Sequence, residues 1–317
     1  MRLHGAATGG EKMKKDFLAL NQFSKEELDS IFLLARDLKE KQKKGIAHRH
    51  LDGKSVALIF EKSSTRTRVS FEVGVYQLGG QPLFISSGTS QMGRGEPIKD
   101  TARTIARYCN GVMIRTYGQD IVKEFAKFSS VPVINGLTDM FHPCQVMADI
   151  MTVIEHKGGY KGLKFAWVGD GHNMANTWVE AAAIFGFDLT LACPKGYQPN
   201  AKVMKWALAR AKSSIVLTDD PKVAVKGADV LNTDVWASMG QEAEQKKRMD
   251  AFSGYQLNAK TVKLAKKDCI VMHCLPAHRE EEITDEVIEG PRSVVWDEAE
   301  NRLHVQKAIM ARLMGGA

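Results

Sequence analysis

The sequence predicts an α/β fold of two doubly wound parallel-sheet domains joined by a linking helix, and three observations carry that prediction. Short, uninterrupted apolar runs alternate with segments of three- and four-residue apolar spacing, the pattern of strands covered on both faces by crossover helices. The alternation pauses at one long helical stretch, residues 143–156, and restarts after Gly158-Gly159. The length of 317 residues suits two domains at roughly 150 residues each.

Taken in order, Ser24-Lys25-Glu26-Glu27 is a capping box that opens a helix. Its apolar positions are Leu28, Ile31, Phe32, Ala35 and Leu38, and Gly45 stops it. Its lysine-rich end suits the negative pole of the helix. Strands are expected at 55–60, 83–86, 111–115 and 132–135, with helices at 66–78, 98–109 and 121–128 between them. The second series places strands at 164–168, 189–193, 214–218, 229–232, 269–273 and 293–296. The amphipathic segment 300–314 either closes the second domain or returns to the first.

Composition removes several function classes. With 44% hydrophobic and 26% charged residues, the chain is neither disordered nor fibrous. The longest apolar stretch, 178–193, is interrupted by Glu180 and Asp188, short of the roughly 18 uncharged apolar residues of a membrane span, so no membrane association is expected. Residues 1–16 carry Gly, Thr and Lys where a signal peptide has an apolar run, and a short leader before Met13 is expected. Cys109, Cys144, Cys193, Cys269 and Cys274 are widely spaced without a C-x-x-C pair, which fits a reducing cytoplasm and no disulfide framework. The formal net charge is +7, and residues 1–150 hold +6 of it, which points to an anionic partner. A nucleic-acid partner calls for clustered Lys/Arg with exposed aromatics, and no such stripe occurs.

Doubly wound sheets bind ligands beyond the carboxyl ends of their strands. After the first expected strand comes Glu61-Lys62-Ser63-Ser64-Thr65-Arg66-Thr67-Arg68, running into a helix. Hydroxyls, guanidinium groups and helix N–H groups converge there, which reads either as a phosphate site or as a Ser/Thr-rich cap with surface arginines. It is not a Walker loop, because no Gly-Lys-Ser/Thr is present. Arg115 ends another strand, and His142-Pro143-Cys144-Gln145 opens the linking helix. Arg66, Arg115, His142 and Gln145 around one crevice would suit an acyl phosphate, whose carbonyl oxygen and leaving phosphate both gain charge during transfer.

In the second half, Gly169-Asp170-Gly171-His172-Asn173-Met174 fails as a dinucleotide fingerprint. Met174 stands at the third glycine, and Cys193-Pro194 stands where a ribose-binding acid belongs. Asn173 instead offers its amide to a polar ligand. His273, Cys274 and His278 lack metal-ligand spacing, so no metal is expected. A thiol nucleophile at Cys274 with His273 or His142 as base is a chemistry the residues allow, with no third residue evident to orient the base.

Together these strings resemble the aspartate/ornithine transcarbamoylase family, from about Met13 to the C-terminus. Ser64-Thr65-Arg66-Thr67-Arg68 and His142-Pro143-Cys144-Gln145 resemble its shared carbamoyl-phosphate motifs. Asp234 through Gly240 resembles D-x-x-x-S-M-G, and His273-Cys274-Leu275-Pro276 resembles the H-C-L-P of the ornithine branch, where the aspartate branch has H-P-x-P-like strings. His172 stands where the family commonly has asparagine.

The resemblance implies roles. Ser64, Thr65, Arg66 and Thr67 would hold the phosphate, Arg115 and His142 would polarise the carbamoyl carbonyl, and Gln145 would hold its amide end beside Pro143 and Cys144. Cys274 and Leu275 would flank the reacting centre, with Arg66, Arg115, His142 and Cys274 as the catalytic set. Arg302 would be a further carbamoyl-phosphate contact, which puts the C-terminal helix, 300–317, back with residues 1–150 and leaves 151–299 to ornithine. Asn173, Asp234, Ser238 and Met239 would grip ornithine. Gln91 would enter from a neighbouring subunit, implying a homotrimer with sites at subunit interfaces. The implied reaction carries the carbamoyl group of carbamoyl phosphate to the δ-amine of L-ornithine, giving L-citrulline and phosphate, as in arginine biosynthesis, with no cofactor. The rivals are a transcarbamoylase for another amine, such as putrescine or an N-acylornithine, and a nucleotide-binding α/β oxidoreductase.

Overall fold

The computed structural model describes residues 14–89, 95–237 and 244–315. Helix α1 (Lys25–Lys43) leads into β1 (Ser55–Phe60), α2 (Thr65–Gln77), β2 (Gln81–Ser86), α3 (Ile98–Tyr108), β3 (Gly111–Arg115), α4 (Gln119–Phe128) and β4 (Val133–Leu137). Helix α5 (Pro143–Lys157) then crosses to β5 (Lys164–Val168), α6 (Asn173–Phe185), β6 (Asp188–Ala192), α7 (Ala201–Leu208), β7 (Ile215–Thr218), α8 (Pro221–Val225) and β8 (Val230–Thr233). The chain ends through α9 (Gln245–Ala251), α10 (Ala259–Val262), β9 (Ile270–His273), α11 (Asp285–Ile288) and α12 (Val295–Met314). The strands form two parallel sheets, ordered β2-β1-β3-β4 and β7-β6-β5-β8-β9. The predicted fold class is the observed one.

Each sheet reverses its winding once. The first goes from β1 to β2 and then jumps back past β1 to β3; the second goes outward through β6 and β7 and jumps back past β5 to β8. At such a switch point the connections leave in opposite directions, and a crevice opens between adjacent strand ends. The β1/β3 crevice receives residues 61–67 and Arg115, and the β5/β8 crevice receives residues 169–173 and Asp234.

Local chemistry sets the boundaries. The capping box at Ser24 is formed: Ser24 Oγ accepts the Glu27 N–H at 3.2 Å, and Glu27 accepts the Ser24 N–H at 2.9 Å. All five apolar residues of its stripe are buried. The expected strand at 293–296 is absent. Only Ser293 bridges to Val271, and α12 begins at Val295. The Val-Val-Trp run has local strand preference, but α12 gains more by packing on α1, α2 and α5, and tertiary burial overrides propensity. Apart from this early start of α12, the element ends fall within two residues of expectation, the usual reach of end fraying.

Helix α12 returns to the first sheet's helices. Gly74 of α2 permits the approach, because a Cβ there would lie 3.1 Å from Met310 Cε and 3.3 Å from Lys307 Cγ. Lys307 is buried, donating to Gln77 Oε1 at 2.9 Å. One continuous apolar core runs from Phe60 and Phe71 through α5 and α12 to Trp178 and Phe187.

Glu180 of α6 lies within that core and accepts the Leu20 N–H at 3.0 Å. Burial pushes its carboxyl up from 4.5 to about 8. The folded state therefore binds this proton more tightly than the unfolded chain, and the stability it contributes is complete below pH 4.5 and is lost as pH rises to about 8. Glu180→Gln should be more stable than the wild type at pH 8 by about 1–3 kcal/mol, the cost of a poorly compensated buried polar group, with the gap closing at pH 5. Urea unfolding of both proteins at the two pH values checks this.

Candidate active site

The chain turns from β1 into α2 at Ser64, whose extended backbone is that of a helix cap and whose Oγ accepts the Thr67 N–H at 3.2 Å. No acidic residue occupies the first turn of α2, so its positive pole is available to an anion. Ser63, Ser64, Thr65 and Arg66 line a cleft of about 460 Å³. Arg115, His142, Asn173, Asp234, Cys274, Leu275 and Arg302 line the same cleft. Both switch-point crevices thus open into one cavity.

Its charge is unbalanced. Burial pulls the Arg115 guanidinium down to about 9, with Arg302 and Arg66 pushing in the same direction. Burial also lowers Arg302, and Arg66 adds to that. Three cations that repel one another across a buried cleft are a preformed site for a multiply charged anion. Burial and the guanidiniums of Arg302 and Arg115 hold His142 well below the usual imidazole range. A neutral imidazole can donate to a carbonyl oxygen without adding a fourth charge. Its Nδ1 is buried without a hydrogen-bond partner, and its backbone N–H is held by Thr177 Oγ1 at 2.9 Å.

Thr67, Pro143 and Cys144 do not line this cleft, and Gln145 lines a groove that adjoins it through Thr65, Arg66, Cys274 and Arg302. Thr67 is fully buried, and its Oγ1 accepts from Ser64 Oγ at 3.1 Å, from Arg115 Nη1 at 3.2 Å and from Arg302 Nη2. Through these contacts it aims the two guanidiniums. Pro143 begins α5, and Cys144 sits in the core, its thiol facing the Asn135 carbonyl at 3.5 Å. Gln145 borders an adjoining apolar groove and accepts from Arg302 Nη1 at 2.9 Å.

At the other end, Asn173 Nδ2 donates to the Thr138 carbonyl at 2.8 Å, tying α6 to the loop after β4. Gly171 serves close packing: a Cβ there would lie 2.3 Å from the Gln198 and Pro199 backbone, so this glycine admits a neighbouring loop where a dinucleotide motif would admit a pyrophosphate. Leu275 is left-handed at φ 57°, held by His273 Nδ1, which accepts its N–H at 2.9 Å. Asp234, His273 and Cys274 bring ligand-type atoms within 4.8 Å. Both imidazole nitrogens are engaged, however, Nδ1 with Leu275 and Nε2 with Glu282 at 3.0 Å. Burial, followed by Asp234, pushes the Cys274 thiol well above its ordinary value. A protonated thiol is a poor nucleophile, and this arrangement favours a packing and hydrogen-bonding role for Cys274.

Residues 15–155 match the family model described as the carbamoyl-P binding domain of aspartate/ornithine carbamoyltransferase, and residues 161–313 match its Asp/Orn binding domain. The chain belongs to the aspartate/ornithine carbamoyltransferase family. The ornithine carbamoyltransferase of Geobacter sulfurreducens is 76% identical over 302 residues, covering 95% of this chain and 100% of that one. The solved ornithine carbamoyltransferase of Pyrococcus furiosus superposes with a TM-score of 0.92 at 51% identity, over 96% of this chain and 98% of that one. The anabolic ornithine carbamoyltransferase of Campylobacter jejuni gives 0.90 at 41%, over 94% and 98%.

Within this carbamoyltransferase frame, Gln91, Ser238 and Met239 lie outside the described residues. Lys62, Gln245 and His278 also line the cleft, and neither the strand-end motifs nor the family resemblance gives them a role. Lys62 pairs with Asp139 at 2.7 Å and lies 4.4 Å from the Tyr117 ring centroid. The available signal was its place directly after the strand end, beside the Ser-Thr-Arg run. Among the described residues no helix is long and apolar enough to cross a membrane.

Proposed function

We propose that this chain transfers the carbamoyl group of carbamoyl phosphate to the δ-amine of L-ornithine, giving L-citrulline and phosphate, a step of arginine biosynthesis. The observation that carries the proposal is the convergence of Arg66, Arg115 and Arg302 at the positive end of α2, in one cleft with Asn173 and Asp234. A dianionic acyl phosphate answers the first group and a zwitterionic amino acid the second. The ornithine carbamoyltransferases to which the chain is similar support the choice of acceptor.

The neutral δ-amine attacks the carbonyl carbon, and the resulting oxyanion is stabilised by Arg115 and neutral His142. The bond from that carbon to the phosphate oxygen then breaks, and phosphate departs toward Ser64, Thr65 and Arg66 carrying the negative charge. The amine proton passes to phosphate or solvent. Carbamoyl phosphate is already activated, so position and charge complementarity supply the catalysis. Residues 1–150 with the C-terminal helix 300–317 serve carbamoyl phosphate, and 151–299 serve ornithine through Asn173, Asp234, Ser238 and Met239. Gln91 completes a neighbouring subunit's site in a cytoplasmic homotrimer. The edge strand β2 supports that assembly, since Leu83 and Phe84 are exposed there and the Arg68 guanidinium lies 3.7 Å from the Phe84 ring centroid.

A colorimetric citrulline assay with carbamoyl phosphate and a panel of amines tests the function. Ornithine is expected to be the preferred acceptor; putrescine or an N-acylornithine outpacing it would overturn the acceptor assignment.

A further inference from the structure

We propose that Asp149 and Glu298 are positioning residues that hold the Gln145 amide with its carbonyl oxygen toward Arg302 and the carbamoyl group, and so favour a carbamoyl over an acetyl phosphate. The proposal rests on the carbamoyl-transfer reading above.

Gln145 is 1% exposed, and each end of its amide meets a defined partner. Nε2 donates to Asp149 Oδ1 at 2.8 Å and to Glu298 Oε1 at 3.1 Å, while Oε1 accepts from Arg302 Nη1 at 2.9 Å. Both amide hydrogens are therefore committed to carboxyl oxygens. A flipped amide would set its nitrogen against a guanidinium and its oxygen against two acids, a reversal of every contact. The acids arrive by helix geometry: Asp149 lies one turn after Gln145 on α5, and Glu298 lies one turn before Arg302 on α12. Glu298 Oε2 also accepts the His273 N–H at 2.9 Å, which anchors the pair to the end of β9.

Asp149 and Glu298 are both buried beside the Gln145 amide nitrogen, and burial raises both carboxyls. One neutral acid beside one carboxylate avoids burying two like charges. The pair thus supplies acceptors to Gln145 without opposing its own members.

The consequence is chemical selectivity. Gln145 borders the groove that adjoins the cleft and shares Thr65, Arg66, Cys274 and Arg302 with it, so a carbamoyl group held by those residues would present its NH₂ to the Gln145 carbonyl oxygen. Acetyl phosphate has the same shape but presents a methyl group there, so the second lone pair of the Gln145 oxygen, beside the one that accepts from Arg302, finds no donor. Sites built to hydrogen-bond a substrate reject analogues that lack the donor. With the amide reversed, that discrimination disappears.

Isosteric variants test this. In Glu298→Gln the new side chain has one oxygen, yet two donors, His273 N–H and Gln145 Nε2, require acceptors. The His273 backbone is fixed by β9, so the new amide nitrogen faces Gln145 and drives the flip. In Asp149→Asn the oxygen still accepts from Gln145, and the nitrogen takes the place of Oδ2, which accepts no hydrogen bond. The readouts are KM for carbamoyl phosphate and the inhibition constants of acetyl phosphate and inorganic phosphate. The ratio of the acetyl phosphate constant to KM should fall about tenfold in Glu298→Gln, the worth of one hydrogen bond. The inorganic phosphate constant should stay within about twofold, and Asp149→Asn should keep the wild-type ratio.

An unchanged ratio in folded Glu298→Gln overturns the proposal. So does a phosphate constant that moves in step with KM, which marks general loosening, or an Asp149→Asn that behaves like Glu298→Gln. Should Glu298→Gln not fold, Asp149→Leu, which leaves Gln145 one acceptor short, takes its place. A fall in the same ratio then supports the proposal, and an unchanged ratio overturns it. A wild type that makes no citrulline from carbamoyl phosphate and ornithine overturns the transfer reading itself, and this inference with it.

Discussion

Replacing Arg66 with alanine is expected to lower kcat/KM for carbamoyl phosphate about 1,000-fold, in line with the loss of a charge aimed at a developing anion. The melting temperature of the ligand-free protein should meanwhile stay constant or rise. The two effects share a cause. Arg66, Arg115 and Arg302 repel one another across the cleft, and that repulsion helps to lower the latter two guanidiniums. Removing the least buried of the three relieves the folded state, as happens where a site is organised for its ligand at the expense of stability. Inorganic phosphate should raise the melting temperature of the wild type, because it binds only the folded protein, and should do so far less in Arg66→Ala. Differential scanning fluorimetry with and without phosphate, beside the citrulline assay, reads both halves. Retention of most activity would place the phosphate site elsewhere.

Much of that cleft was legible because the fold class converts position along the chain into position in space. Once β1 and β3, and β5, β8 and β9, are read as parallel strands, their carboxyl ends must share one edge within each sheet, and Arg66, Arg115, Asn173, Asp234 and Cys274 all stand just beyond such ends. No comparable signal marks depth. Thr67 sits one residue from Arg66 but faces inward, because successive helical residues point about 100° apart. The Asp149–Glu298 pair is invisible for a different reason: the two acids are far apart in sequence, and each alone looks like a solvated helix position. Only the return of α12 against α5, which Gly74 and the buried α12 face make possible, brings them together. That same return dissolved the strand expected at 293–296, where a β-branched run carries the local preference but lacks the ladder partners to use it.

Substituting Asp234 with asparagine is expected to raise KM for ornithine about 100-fold, the scale of leaving one member of a buried charge pair without its counter-ion. The inhibition constant for inorganic phosphate should be nearly unchanged. Burial raises the Asp234 carboxyl, against the opposing pull of His273 and the Cys274 thiol. Its charge is therefore under-compensated by the protein's own groups, and an incoming α-ammonium would restore the balance and draw its pKa back down. Asparagine keeps the shape and can still accept the Val235 N–H that Asp234 Oδ1 accepts at 2.8 Å, so the substitution isolates charge from geometry. Because Asp234 and the Ser64–Arg66 turn come from different sheets, the two ligands should respond separately: Arg66→Ala acts on phosphate, Asp234→Asn on ornithine. An N-acylornithine has no free α-ammonium, so its turnover relative to ornithine should rise in Asp234→Asn. If phosphate inhibition weakens as much as ornithine binding does, Asp234 supports the cleft as a whole, and the grip on the α-amino group must be sought among other residues.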